Sequence, residues 1–183
     1  AELEAQLLRH PPSSRDAERR KRLDQWLDNG AGCCALRHQR IAQLMQETLL
    51  KFDGSKYRLL AWCIMPNHVH TLIHPHTRLA PIVQSWKSFT GRKALSLNAE
   101  LNLGIPEQRF WMPDYWDRYI RDEEHLCRTV DYIHQNPVVA RLCSRPGDWP
   151  WSSAAILPGT AEPQLRIDTK GKEHAKTSGD CKG

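Results

Sequence analysis

An α/β fold is expected from three features of the 183-residue sequence. Residues 68–74 read His-Val-His-Thr-Leu-Ile-His, an alternation with the period of a half-buried strand. An apolar run at 57–65 lies just before it, separated by the turn pair Pro66-Asn67, which makes the two a hairpin. Stretches with apolar residues at helical spacing flank the hairpin on both sides.

Taken in order, residues 14–29 have a narrow stripe of Leu23, Trp26 and Leu27 among many charges, between Pro11-Pro12 and Gly30-Ala31-Gly32. They are expected to form a charged N-terminal helix. A second helix is expected over 38–52, with Ile41, Leu44, Met45, Leu49 and Leu50 at the 3.6 period, ending at Asp53-Gly54. On the second strand, the period-2 rule puts His68, His70 and Leu72 on one face and Val69, Thr71 and Ile73 on the other. A third helix is expected over 79–97, with Ile82, Val83, Trp86, Phe89 and Leu95 inward and Lys87, Arg92 and Lys93 on its polar side. Residues 115–120 read as extended. Asp122, Glu123 and Glu124 open a fourth helix at its positive end, and Pro137 predicts that it stops at Asn136. Trp149, Pro150 and Trp151 are expected to close the fold. The chain divides into a charged helical segment at 1–32, one domain at 33–157 and a disordered basic tail at 158–183.

Hydrophobic residues make up 40 % of the chain, enough for one core, and no apolar run reaches the ~18 residues of a membrane span. Residues 1–9 lack the pattern of a signal peptide, so a soluble cytoplasmic protein is expected. The net charge of +5 leans toward a polyanionic partner. None of the six cysteines has the C-x-x-C spacing of a zinc site, and reduced, mostly buried thiols are expected.

Two groups carry chemistry. His68 and His70 project imidazoles side by side from one strand face, where both could hold one divalent cation while Val69 anchors the strand in the core. By itself H-x-H is common, and taken alone it fits two ordinary histidines on a half-exposed strand better than a metal site. Tyr132 and Asn136 stand four residues apart, hence on one helix face. The asparagine carbonyl can serve as a ligand, and a phenol of pKa ~10 needs a cation or base beside it to attack at neutral pH. Taken alone, the pair fits better a half-buried helix tyrosine with its hydroxyl in solvent and an asparagine at the helix C-terminus before proline.

The order of motifs resembles the REP-associated tyrosine transposases, a single-tyrosine HUH family. The run from Tyr57 through Met65-Pro66-Asn67-His68-Val69-His70 is similar to their HUH region. Trp86-Lys87-Ser88-Phe89-Thr90 looks like a further family segment, as does Phe110-Trp111 with Tyr115-Trp116-Asp117-Arg118-Tyr119-Ile120-Arg121-Asp122. Tyr132-Ile133-His134-Gln135-Asn136-Pro137-Val138 and Asp148-Trp149-Pro150-Trp151-Ser152-Ser153 resemble its two last segments. The likeness covers roughly residues 33–154.

That resemblance implies a ferredoxin-like α/β sandwich, a mostly antiparallel sheet with helices on one face. Family members open with a strand before the first helix. None is legible at the start of this sequence, so that strand is expected to be missing or its place filled by another segment. The resemblance assigns His68, His70 and Asn136 as ligands of Mg²⁺ or Mn²⁺ and Tyr132 as nucleophile, with Tyr115 as the alternative nucleophile. It implies nicking and rejoining of single-stranded or hairpin repeat DNA through a 5′-phosphotyrosine intermediate, without a nucleotide cofactor, by a monomer or homodimer. Lys87, Arg92, Lys93, Arg118 and Arg121 are the expected phosphate contacts. The alternative is a derived protein that grips hairpin DNA without cutting it.

Overall fold

The computed structural model describes residues 32–106, 109–113 and 115–156. The expected N-terminal helix and the basic tail lie outside the described residues. A 3₁₀ turn, Ala35–Arg37, leads into α1, Gln39–Leu50, and the antiparallel hairpin β1, Tyr57–Ile64, with β2, Val69–Pro75, follows. Then come α2, Leu79–Leu101, α3, Glu123–Val139, a second 3₁₀ turn, Pro146–Asp148, and the short α4, Ser153–Ile156. The described fold is therefore α/β around a two-stranded antiparallel sheet. No strand forms over 115–120, which is irregular.

The hairpin register pairs Cys63 with His70, Ala61 with Leu72 and Ile64 with Val69, with a bulge between Leu59 and Ala61. Met65 N–H donates to the His68 carbonyl at 2.9 Å, closing the turn through Pro66 and Asn67. Each strand thereby offers two distinct faces. Tyr57, Trp62 and Ile64, joined by Val69 and Ile73, face a core built with Ile41, Met45 and Leu49 of α1 and Ile82, Trp86 and Ala94 of α2. Ala61, Cys63, Met65 and Leu72 face the other way, against Leu126 and Ile133 of α3. Helices thus cover both faces of the hairpin, not one. The cause lies in β1, whose residues Ala61 to Ile64 are all buried, the habit of a strand covered on both sides.

Inside the first core, Trp86 Nε1–H donates to the Tyr57 hydroxyl at 3.1 Å, and that hydroxyl donates to the Leu49 carbonyl at 2.5 Å. The pair satisfies two buried polar groups at once. Phe89, expected inward, is 38 % exposed, and Thr90, Gly91 and Ala94 take the buried positions of that helix instead. The closing segment pairs with the second edge of β1. Ile64 N–H donates to the Trp151 carbonyl at 2.8 Å, Trp149 Nε1–H donates to the Ile64 carbonyl at 3.0 Å, and Cys63 bridges to Ser152. This segment takes up part of an edge that would otherwise present unpaired backbone.

The fourth predicted helix continues past Asn136 to Val139, through Pro137. In the last turn the missing proline N–H removes a single helical bond, and the end is closed by Ala140 N–H on the Asn136 carbonyl and Leu142 N–H on the Pro137 carbonyl, at 2.9 and 2.8 Å. Of the cysteines described, only Cys63 is buried, and Cys127 is exposed.

Candidate active site

β2 and α3 bring four of the sequence-selected residues together. His68 and His70 leave the hairpin on the face that packs against α3, as the alternation requires. Their Nε2 atoms lie 2.9 Å apart, with the rings edge to face at 4.7 Å between centroids. Two nitrogen donors at a right angle on one ion, each ~2.1 Å away, stand ~3.0 Å apart. The pair therefore has the spacing of two ligands of one cation.

The protonation states suit that use. His68 Nδ1 lies 2.8 Å from the Asn67 side-chain oxygen, an acceptor, so Nδ1 carries the hydrogen and Nε2 keeps its lone pair. Burial pushes the His68 imidazole down to about 4. Burial again, with His68 close by, takes His70 to about 3, while a hydrogen bond to Asn136 pulls in the opposite direction. Both rings are neutral at physiological pH.

α3 sets the other half. Asp122 caps it by accepting from His125 N–H at 2.7 Å, and Glu123 and Glu124 occupy the first turn. Leu126 and Ile133, two turns apart, fix its inner face against β1. Tyr132 then lies beside His70, ring centroids 5.4 Å apart and nearly perpendicular, and remains 47 % exposed. Asn136, one turn on, is buried, and its Nδ2 donates to the Tyr132 carbonyl at 2.9 Å. That bond orients the amide and leaves its oxygen for His70 or for a cation. Two imidazoles and an amide oxygen are a set of donors of the kind that could hold a divalent ion. Among the described residues no cluster of three or more His, Cys, Asp and Glu offers another.

Two supporting contacts escaped the sequence reading. Asn67 orients the His68 ring, and only its place directly before His68 hinted at it. His134, on the same helix as Tyr132, lies with Nε2 2.8 Å from the Ser153 hydroxyl. Ser153 Oγ in turn accepts from Trp62 N–H at 3.0 Å and donates to the Trp62 carbonyl at 3.2 Å. This relay ties α3 to β1 next to Cys63, the cross-strand partner of His70.

The remaining selected residues lie elsewhere. Lys87 donates to the carbonyls of Met112 and Pro113 at 2.5 and 2.8 Å, pinning that loop to α2. Arg92 and Lys93 are exposed on α2, and Arg118 and Arg121 are exposed ahead of α3. Tyr115 lines a cavity of about 550 Å³ with Arg78, Pro81, Gln84, Lys87 and Pro113. Trp86 belongs to the core.

Residues 34–136, more than half of the chain, match the family described as "Transposase IS200 like". A Haemophilus influenzae protein named as a REP-associated tyrosine transposase is 28 % identical over 104 residues, which is 53 % of this chain and 58 % of that protein. The chain thus spans well under two thirds of that relative's length. No solved structure matches.

Proposed function

The chain belongs to the IS200-like transposase family, and from that premise we propose that it nicks and rejoins single-stranded DNA beside a hairpin, with Tyr132 as nucleophile and a divalent metal held by His68, His70 and Asn136. The observation that carries this reading is the Tyr132 ring against His70, whose Nε2 is 2.9 Å from that of His68. A site of this kind needs its nucleophile, its ligands and access to solvent in one place, and the half-exposed phenol meets the last requirement.

A bound Mg²⁺ or Mn²⁺ would supply charge stabilisation at the phosphate oxygens. The protein residues do the rest. Tyr132, half exposed, gives up its Oη proton to solvent water, and Oη attacks the scissile phosphorus. The bond from phosphorus to the 3′ oxygen breaks, and that oxygen leaves as a 3′-hydroxyl after taking up a proton. The phosphate stays on Tyr132 as a 5′-phosphotyrosine diester. Because one phosphodiester replaces another, a different 3′-hydroxyl can attack the link and join new ends without a nucleotide cofactor. An unpaired strand suits a nucleophile on a helix surface, since a phosphate in a stacked duplex cannot easily be drawn against it.

The test is a denaturing gel with a labelled hairpin oligonucleotide carrying single-stranded flanks, in the presence of Mn²⁺. Wild type is expected to give a protein-DNA band, and Tyr132→Phe to give none while still binding the hairpin. Replacing both His68 and His70 by Ala is expected to remove the metal dependence together with the band. Hairpin binding by wild type with no band under any metal would favour instead a protein that grips hairpin DNA without cutting it. A full-strength band from Tyr132→Phe would refute the assignment of the nucleophile.

A further inference from the structure

The segment joining α2 to α3 exposes an unusual amount of apolar surface. Met112, Tyr115, Trp116 and Tyr119 are 53, 40, 46 and 85 % exposed within a few residues of one another. A single exposed aromatic is ordinary, whereas several in sequence mark a contact surface. The start of this segment is not loose. Lys87 holds the Met112 and Pro113 carbonyls, and Trp111 Nε1–H donates to Thr90 Oγ1 at 2.8 Å. Trp111 also packs over Gly91, where a β-carbon would come within 3.5 Å of its ring. At the far end Ile120 packs with Leu126 and Ile133 under α3. The aromatic row is thus anchored on α2 at one end and on the Tyr132 helix at the other.

Between this segment and α2 lie two adjoining cavities of about 550 and 270 Å³, which share Gln84, Lys87 and Pro113 as walls. The larger has Tyr115 and Arg78 on its walls, and the smaller has Arg109. The Lys87 ammonium is engaged by the loop carbonyls, so it serves as a wall fixture more than as a phosphate contact.

We propose that this groove and the aromatic row beyond it bind an unpaired DNA strand, bases stacking on Tyr115 and Pro113 and phosphates meeting Arg78 and Arg109. The inference rests on the reading of the chain as a DNA transposase and extends it to a surface outside the histidine-tyrosine site. An aromatic side chain and cations lining one groove match what an unpaired strand presents, namely flat bases along a charged backbone. A duplex keeps its base faces covered. Asp117 stands within the same row, so stacking carries more of the affinity there than charge does.

Binding of two labelled oligonucleotides by the full chain, followed by fluorescence anisotropy, tests this. One is a blunt hairpin and the other the same hairpin with a short unpaired extension. Wild type is expected to favour the extended form. Tyr115→Ala is expected to weaken the extended form by roughly ten-fold and leave the blunt one unchanged, with Tyr115→Phe close to wild type. Arg78→Gln is expected to lower the salt slope by about one. Equal weakening of both oligonucleotides by Tyr115→Ala, or of neither, overturns the groove while leaving the strand-cutting site standing. Altered sedimentation of Tyr115→Ala with unchanged DNA affinity overturns it too and points to a second copy of the chain on this face. Failure of wild type to bind either oligonucleotide sinks the DNA reading itself and the groove with it.

Discussion

The side-chain amide of Asn136 donates to the main-chain carbonyl of Tyr132, 2.9 Å away on the same helix. The proposed nucleophile and the proposed ligand, one turn apart, are thereby linked, and the asparagine amide is aimed by the Tyr132 carbonyl. Asn136→Ala removes both the donor oxygen and the bond that aims it. Affinity for Mn²⁺, measured by calorimetry, is expected to fall by at least about ten-fold. Unchanged affinity would remove Asn136 from the ligand set.

Asn67 makes a second and independent test. It accepts from His68 Nδ1 and so keeps the lone pair on Nε2. In Asn67→Ala the ring can turn or change tautomer. Metal affinity is expected to drop about ten- to hundred-fold with little change in thermal stability, since the residue sits in a turn. A drop in melting temperature at constant metal affinity would make Asn67 a turn residue only.

The His134–Ser153–Trp62 relay joins α3 to β1. Ser153→Ala leaves the buried Trp62 amide and the His134 nitrogen without this partner, at a cost of about 1–3 kcal/mol in denaturant unfolding. His134→Gln, which keeps a donor, is expected to lose less than His134→Ala. If the two His134 variants unfold alike, the relay does not hold the helix.

Burial pushes the Cys63 thiol up from its ordinary 9.0 to about 12. Between those values the folded chain keeps a proton that the unfolded chain releases. The stability from this group is therefore complete below pH 9 and lost progressively as pH rises toward 12. Burial raises the Tyr57 phenol as well, which acts in the same direction. Urea titrations across that range are expected to show falling stability. At pH 8, iodoacetamide is expected to modify the exposed Cys127 and spare Cys63. Labelling of Cys63 at the same rate would contradict its burial.

Much of the site was legible because two simple periods decide it. Alternation from His68 into β2 put His68 and His70 on one face, and a four-residue step put Tyr132 and Asn136 on another. That the two faces meet depends on Leu126 and Ile133 seating α3 against Ala61 and Cys63, a contact between distant segments that spacing cannot reveal. The relay through Ser153 was hidden for the same reason, since it joins residues 91 apart in sequence. Pro137 was misread locally. A proline near a helix end removes only one bond, and here its ring is also fully buried. Phe89 has the right spacing for the core, but α2 turns Thr90, Gly91 and Ala94 inward instead.

Mapping the covalent adduct tests the central claim most directly. Wild type would be incubated with the extended hairpin and Mn²⁺, digested with nuclease and protease, and its peptides read by mass spectrometry. A nucleotide on Tyr132 is the expected result. A nucleotide on Tyr115 or Tyr119 with Tyr132 unmodified would contradict the account, as would the absence of any adduct from a protein shown to bind both the hairpin and the metal.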